Sequence, residues 1–121
     1  MPLDHIGFTV ADFARTKAFY VATLAPLGIE IVSEGEGWAL MGKAGTPELW
    51  FGLGTPTGPI HLAFAADTQE AVRAFHAAAL AAGGRDNGGP GIRGHYHPNY
   101  FGAFVFDPDG HNLEAVCHNP A

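Results

Sequence analysis

Basic residues, cysteine and long apolar runs are all scarce in this sequence, and each scarcity excludes something. Lys and Arg number 6 against 12 Asp and Glu, a formal net charge of −6. Binding to nucleic acid needs clustered cations, and Arg15, Lys17, Lys43, Arg73, Arg85 and Arg93 are scattered along the chain. No nucleic-acid partner is therefore expected. The single cysteine, Cys117, can form no internal disulfide and cannot build a thiolate metal centre. No apolar stretch reaches the length of a bilayer span, and the first residues lack the charged-then-apolar pattern of a secretory signal. A cytoplasmic protein without membrane contact is the expectation. Charged residues are few, 15%, but hydrophobic ones reach 47%, which is a globular composition. A chain of 121 residues can bury a real core as one domain.

What is present is a repeat. HIGFTVADFARTKAFYVATLAPLG (5–28) aligns without a gap on HLAFAADTQEAVRAFHAAALAAGG (61–84), at a constant offset of 56 residues. His5 falls on His61, Phe8 on Phe64, Phe19 on Phe75, Leu24 on Leu80 and Gly28 on Gly84. Each copy reads as a strand followed by a helix. Ile6, Phe8 and Val10 alternate with His5, Gly7 and Thr9, the period of a strand. A helix is predicted from about Asp12 to Leu24, ended by Pro26 and Gly28. In the second copy Asp67 and Glu70 suggest a capping box. Val72, Phe75, Ala79 and Leu80 form the apolar stripe, and Gly83-Gly84 ends the helix. Strands follow each helix: GIEIVSE, GWALMG and ELWFGLG, then a short strand near 85–87, YFGAFVF and HNLEAVC. The predicted fold class is α+β, one domain over 1–121, built of two tandem βαβββ modules at about 3–53 and 60–118.

The alternation has a chemical consequence. Residues in phase with Ile6 and Leu62 should face the helices, so His5 and His61 should face the other way. Imidazoles without thiols take carboxylates as natural co-ligands for a metal. Glu48, in PELWFG, and Glu114, in HNLEAVC, stand late in the two halves. Leu113 and Ala115 can face the helix and leave Glu114 on the histidine face, where a carboxylate is costly unless paired or coordinated. Pro47, just before Glu48, suits a strand start or an edge, so the metal could have three protein ligands or four.

The duplicated βαβββ pattern, the opening DHIGFTVAD and the ending FVFDPDGHNLEAV resemble the vicinal-oxygen-chelate superfamily, which includes glyoxalase I, bleomycin-resistance proteins and extradiol dioxygenases. The resemblance implies curled sheets around a cavity with the helices outside. It also implies one divalent ion (Zn, Ni, Mn, Co or Fe) held by His5, Glu48, His61 and Glu114. A glyoxalase-type lyase or isomerase would act through an enediolate-like intermediate, with Glu114 or Glu48 as catalytic base. Two rivals stand beside it: an extradiol-type dioxygenase using His5, His61 and Glu114, and a resistance protein that only binds its ligand. A small-molecule substrate and a homodimer are implied as well.

The segment GGPGIRGHYHP (88–98) is read as a loop closing over the site, with His95, His97 and Tyr100 touching substrate. Its His-x-His also resembles half of a cupin motif, but the glutamate such a motif needs is missing and two repeated helices oppose a jelly roll. Trp50, with Trp38 and Phe101, could line an apolar pocket. His76 is expected at a boundary, His111 in solvent after the DPDG turn, and His118 near a frayed end.

Overall fold

The structure is a computed structural model that describes residues 3–120. The first unit contains β1 (Ile6–Val10), α1 (Phe13–Leu24), β2 (Ile29–Gly35), β3 (Trp38–Lys43) and β4 (Thr46–Leu53). The second contains β5 (His61–Ala65), α2 (Gln69–Ala81), β6 (Arg85–Ile92), β7 (Phe101–Phe106) and β8 (Asn112–Cys117). Each forms a four-stranded sheet of the same order, β1-β4-β3-β2 and β5-β8-β7-β6. The first strand runs parallel to the last, and the other pairs are antiparallel. The fold is α+β with two tandem βαβββ modules.

Local chemistry sets the helix ends. The Asp12 carboxylate accepts the Arg15 N–H at 3.2 Å and caps α1. After Leu24 a single 3-10 turn, Ala25–Leu27, carries Pro26, and Gly28 closes it at φ 77°, where a side chain would be strained. The cap of α2 is Thr68, which accepts the Ala71 N–H at 3.0 Å. Asp67, expected in that role, instead pairs with Lys43 at 3.0 Å.

Both sheets and both helices feed one hydrophobic cluster. Phe8 and Phe51 enter it from the first sheet, Val105 and Leu113 from the second, with Phe19 and Phe75 from the helices. Each such side chain contributes about 1.5–3 kcal/mol on burial. Leu80, expected in the stripe of α2, is 40% exposed. Leu53, expected in phase with Leu49 and Phe51, is 63% exposed at the last position of β4.

The modules are also joined by a buried polar corner. The Tyr20 hydroxyl of α1 donates to Asp107 Oδ2 at 2.5 Å. Asp107 Oδ1 accepts the N–H groups of Asp109 and His111, each at 2.9 Å. His111 is 1% exposed, a correction to its expected place in solvent. The Asp107 carboxylate folds the DPDG turn inward, and the imidazole lands edge-on to Phe8, ring centroids 5.1 Å apart. Its Nδ1 accepts the Ile60 N–H at 3.1 Å, fixing the residue before His61.

Burial, with Asp107 and Asp109 behind it, holds the Tyr20 phenol well above its ordinary 10.0. A raised phenol leaves stability intact below pH 10.0 and erodes it as alkali begins to ionise tyrosine in the unfolded chain. Stability should fall above that pH, and Tyr20→Phe should remove most of the slope. Urea denaturation at successive alkaline pH values measures it.

Candidate functional site

On each sheet the face away from the helices is open. His5 stands just before β1, exposed, with Nδ1 2.7 Å from the Asp4 carboxylate. Trp50 lies on that face close to Gly7, where an added Cβ would meet Trp50 Cε3 at 3.2 Å. Glu48 shares the face two residues earlier and is exposed. Pro47 is tolerated near the start of β4 because pairing with β1 begins only at Leu49 and a bulge interrupts β3 at Met41/Gly42.

The second face is better built. His61, at the start of β5, is half-exposed, whereas Glu114 on β8 is only 1% exposed. Glu114 Oε1 lies 2.9 Å from His61 Nε2, and Oε2 accepts the Tyr100 hydroxyl. No Lys or Arg pairs with Glu114 among the described residues. Phe104 sits beside His61, ring centroids 6.2 Å apart, and the Arg93 guanidinium lies 5.3 Å from the Phe104 ring.

Registers show that the two faces are not copies. In the first sheet Ile6 pairs with Leu49 and Gly7 with Trp50. In the second Leu62 pairs with Leu113 and Ala63 with Glu114. Since Ile6 and Leu62 are equivalent in the repeat, Trp50 occupies the place of Glu114, and Glu48 that of Asn112. Among the described residues no three His, Cys, Asp or Glu side chains gather closely enough to hold a metal ion. His61 and Glu114 are together; His5 and Glu48 lie on the other sheet.

The segment expected as a loop over 88–98 is strand as far as Ile92. Its glycines form an irregular edge paired to β7, with register shifts after Asp86 and Gly88. Arg93 ties the edge down by donating to the carbonyls of Gly89, Gly91 and Gly102 at 2.7–2.8 Å. His95 and His97 follow on the exposed turn, His95 against Tyr96 and His97 facing His118. Trp38 shares a shallow depression with Trp50, whereas Phe101 points into the core under Arg73. His76, at a boundary as expected, contacts Asp86 at 2.9 Å; this bond holds the Asp86 carboxyl below its usual range. The roles of Asp107 and Arg93 escaped the sequence reading, since each rests on contacts made after a turn closes.

Two βαβββ modules of the same strand order, each with a histidine at or just before its first strand, define a paired-module protein of the glyoxalase fold. The description of the Glyoxalase/Bleomycin resistance protein/Dioxygenase superfamily matches residues 2–115, and the chain belongs to that superfamily. A glyoxalase/bleomycin resistance protein from Albidiferax ferrireducens is 29% identical, with TM-score 0.83 over 94% of this chain and 97% of that one. A glyoxalase/bleomycin resistance protein/dioxygenase family enzyme from Burkholderia phytofirmans is 19% identical, TM-score 0.75, over 98% and 100% of the chains. A glyoxalase I mutant from Zea mays is 23% identical, TM-score 0.67, over 94% of this chain and 43% of that one. The latter two likenesses concern the fold. Comparison with curated protein sequences finds no match.

Proposed function

We propose that the chain is a divalent-metal enzyme acting on a small substrate through two neighbouring oxygens, with His5, His61 and Glu114 as the protein donors. One observation carries this reading: Glu114 is a carboxylate buried on an otherwise open face, with a histidine at 2.9 Å and, among the described residues, no Lys or Arg paired with it. A buried carboxylate needs compensation, and a metal ion shared with imidazole supplies it. Zn, Ni, Mn, Co and Fe all accept such donors. When bound, the ion would supply Lewis-acid polarisation of the substrate oxygens.

His5 belongs to the first unit and His61 with Glu114 to the second sheet, and among the described residues no three ligating groups gather within one chain, which favours a set completed by a second copy. We read the protein as a homodimer in which the open face of one module meets the other module of the partner. Half-buried Trp38, Trp50 and Phe104 give those faces apolar surface for contact with substrate or partner.

The register bears on the reaction. A glyoxalase-type lyase asks for a second carboxylate to move the proton, and Trp50 stands where it would be expected. Two imidazoles and one carboxylate are the facial set of oxygen-activating iron sites, so the oxygenase branch is favoured over the lyase. Substrates rich in carboxylates, such as glutathione conjugates, fit poorly. Arg93 spends its guanidinium on three carbonyls, and Arg15 and Lys43 are paired with Asp109 and Asp67.

Metal analysis of protein purified without chelator is the test. Stoichiometric metal is expected, lost in His5→Ala, His61→Ala and Glu114→Gln and retained in Glu48→Gln. Oxygen uptake with catechol-like substrates supports the oxygenase; isomerisation of a thiohemiacetal would return the lyase. Metal-free protein with an intact fold would overturn the proposal in favour of a binding protein.

A further inference from the structure

Resting on the ligand reading of Glu114, we infer that Tyr100 is a positioning residue for that carboxylate rather than a substrate contact. Its hydroxyl occupies Oε2 and leaves Oε1, the oxygen facing His61, as the donor available to a cation.

The loop is arranged for this contact. The Arg93 N–H donates to the Tyr100 carbonyl at 2.7 Å, and the Tyr100 N–H to the His97 carbonyl at 3.0 Å, so a short closed turn sets the backbone of Tyr100. The three carbonyls bound by Arg93 fix that turn to both β6 and β7. The ring lies over Gly102. A Cβ there would meet Tyr100 Cε1 at 3.1 Å and Glu114 Oε2 at 3.5 Å, so a bare backbone at 102 lets the phenol reach the carboxylate. Tyr96 and His118 pack against the ring, centroids at 4.9 and 5.3 Å.

Outer partners of metal ligands set their orientation and the number of oxygens they offer. With one oxygen already bonded, Glu114 is a one-oxygen donor of fixed direction. Tyr100→Phe removes only the hydroxyl and keeps the packed ring. Titration calorimetry with Zn²⁺ should show affinity weaker by about tenfold or more in Tyr100→Phe, with Tyr96→Phe unchanged. Equal affinity in Tyr100→Phe and the parent protein would overturn the inference. A second readout needs no metal: the Glu114 carboxyl carbon resonance at fixed neutral pH. It should be displaced in Tyr100→Phe and unmoved in Tyr96→Phe. Should the parent protein take up no Zn²⁺, the metal reading falls and this resonance decides the positioning role alone, an unmoved signal ending it.

Discussion

Replacing Asp107 by alanine should cost about 3–5 kcal/mol, because it strands the donors that its carboxylate accepts. One carboxylate, 2% exposed, receives the Tyr20 hydroxyl and two backbone N–H groups. Alanine would leave the Tyr20 hydroxyl and the His111 N–H buried without an acceptor and the Asp109 N–H half-buried, and each buried loss costs about 1–3 kcal/mol. The corresponding fall in melting temperature is on the order of 10–20 °C for a domain of this size. Tyr20→Phe should cost much less, because the carboxylate keeps its two backbone donors. Asp107→Asn should lie between the two, since an amide oxygen can still accept those N–H groups. Urea unfolding of the three variants checks the order; a loss below about 1 kcal/mol in Asp107→Ala would show that the corner contributes little. The corner matters for the site as well. It fixes His111, whose Nδ1 accepts the Ile60 N–H, and Ile60 leads directly into His61. The Asn112 N–H in turn donates to the Ile60 carbonyl at 2.9 Å, locking the start of β5 onto β8.

Much of this architecture was legible in the sequence because it follows from periodicity. The repeat placed His5 and His61 at matching positions, and alternation along HNLEAVC put Glu114 on the histidine face. Burial costs then made that carboxylate conspicuous. What stayed hidden depends on how strands slide. Glu48 and Glu114 each stand late in their half, and the extra residues of the second half can be assigned to 88–98, which suggests equivalence; yet register is set by pairing, and pairing puts Trp50 opposite Gly7. At the Met41/Gly42 bulge the residue types give Gly42, where a Cβ would collide with the Thr46 carbonyl, and Pro47 opposite it, but they do not say how far the register shifts. Likewise GGPGI looks like a loop by composition, and it becomes strand because β7 and the Arg93 guanidinium bind its carbonyls. His111 follows the same logic: a turn motif predicts exposure, and here the turn's own Asp107 draws the residue inward. Local rules found the faces, and tertiary contacts decided which residues meet on them.

The second large effect concerns the assembly of the site. If each metal centre takes His5 from one chain and His61 with Glu114 from its partner, two defective chains can repair one another. His5→Ala alone should lose its metal, and so should His61→Ala. In a mixed dimer of the two, one centre combines both defects, while the other combines the intact first module of one chain with the intact second module of its partner. Random exchange makes half the dimers mixed, so about a quarter of the parental metal content should return. The repaired centre should also restore any activity on the substrate in the same proportion. A site formed within one chain gives a different result, since every chain then carries its own defect and nothing returns on mixing. The separation of His5 from the His61–Glu114 pair, with no three ligating groups together among the described residues, favours repair. Metal content after subunit exchange, with each variant alone as the baseline, makes the distinction. A baseline value after full exchange would place the donors on one chain and remove the need for the partner.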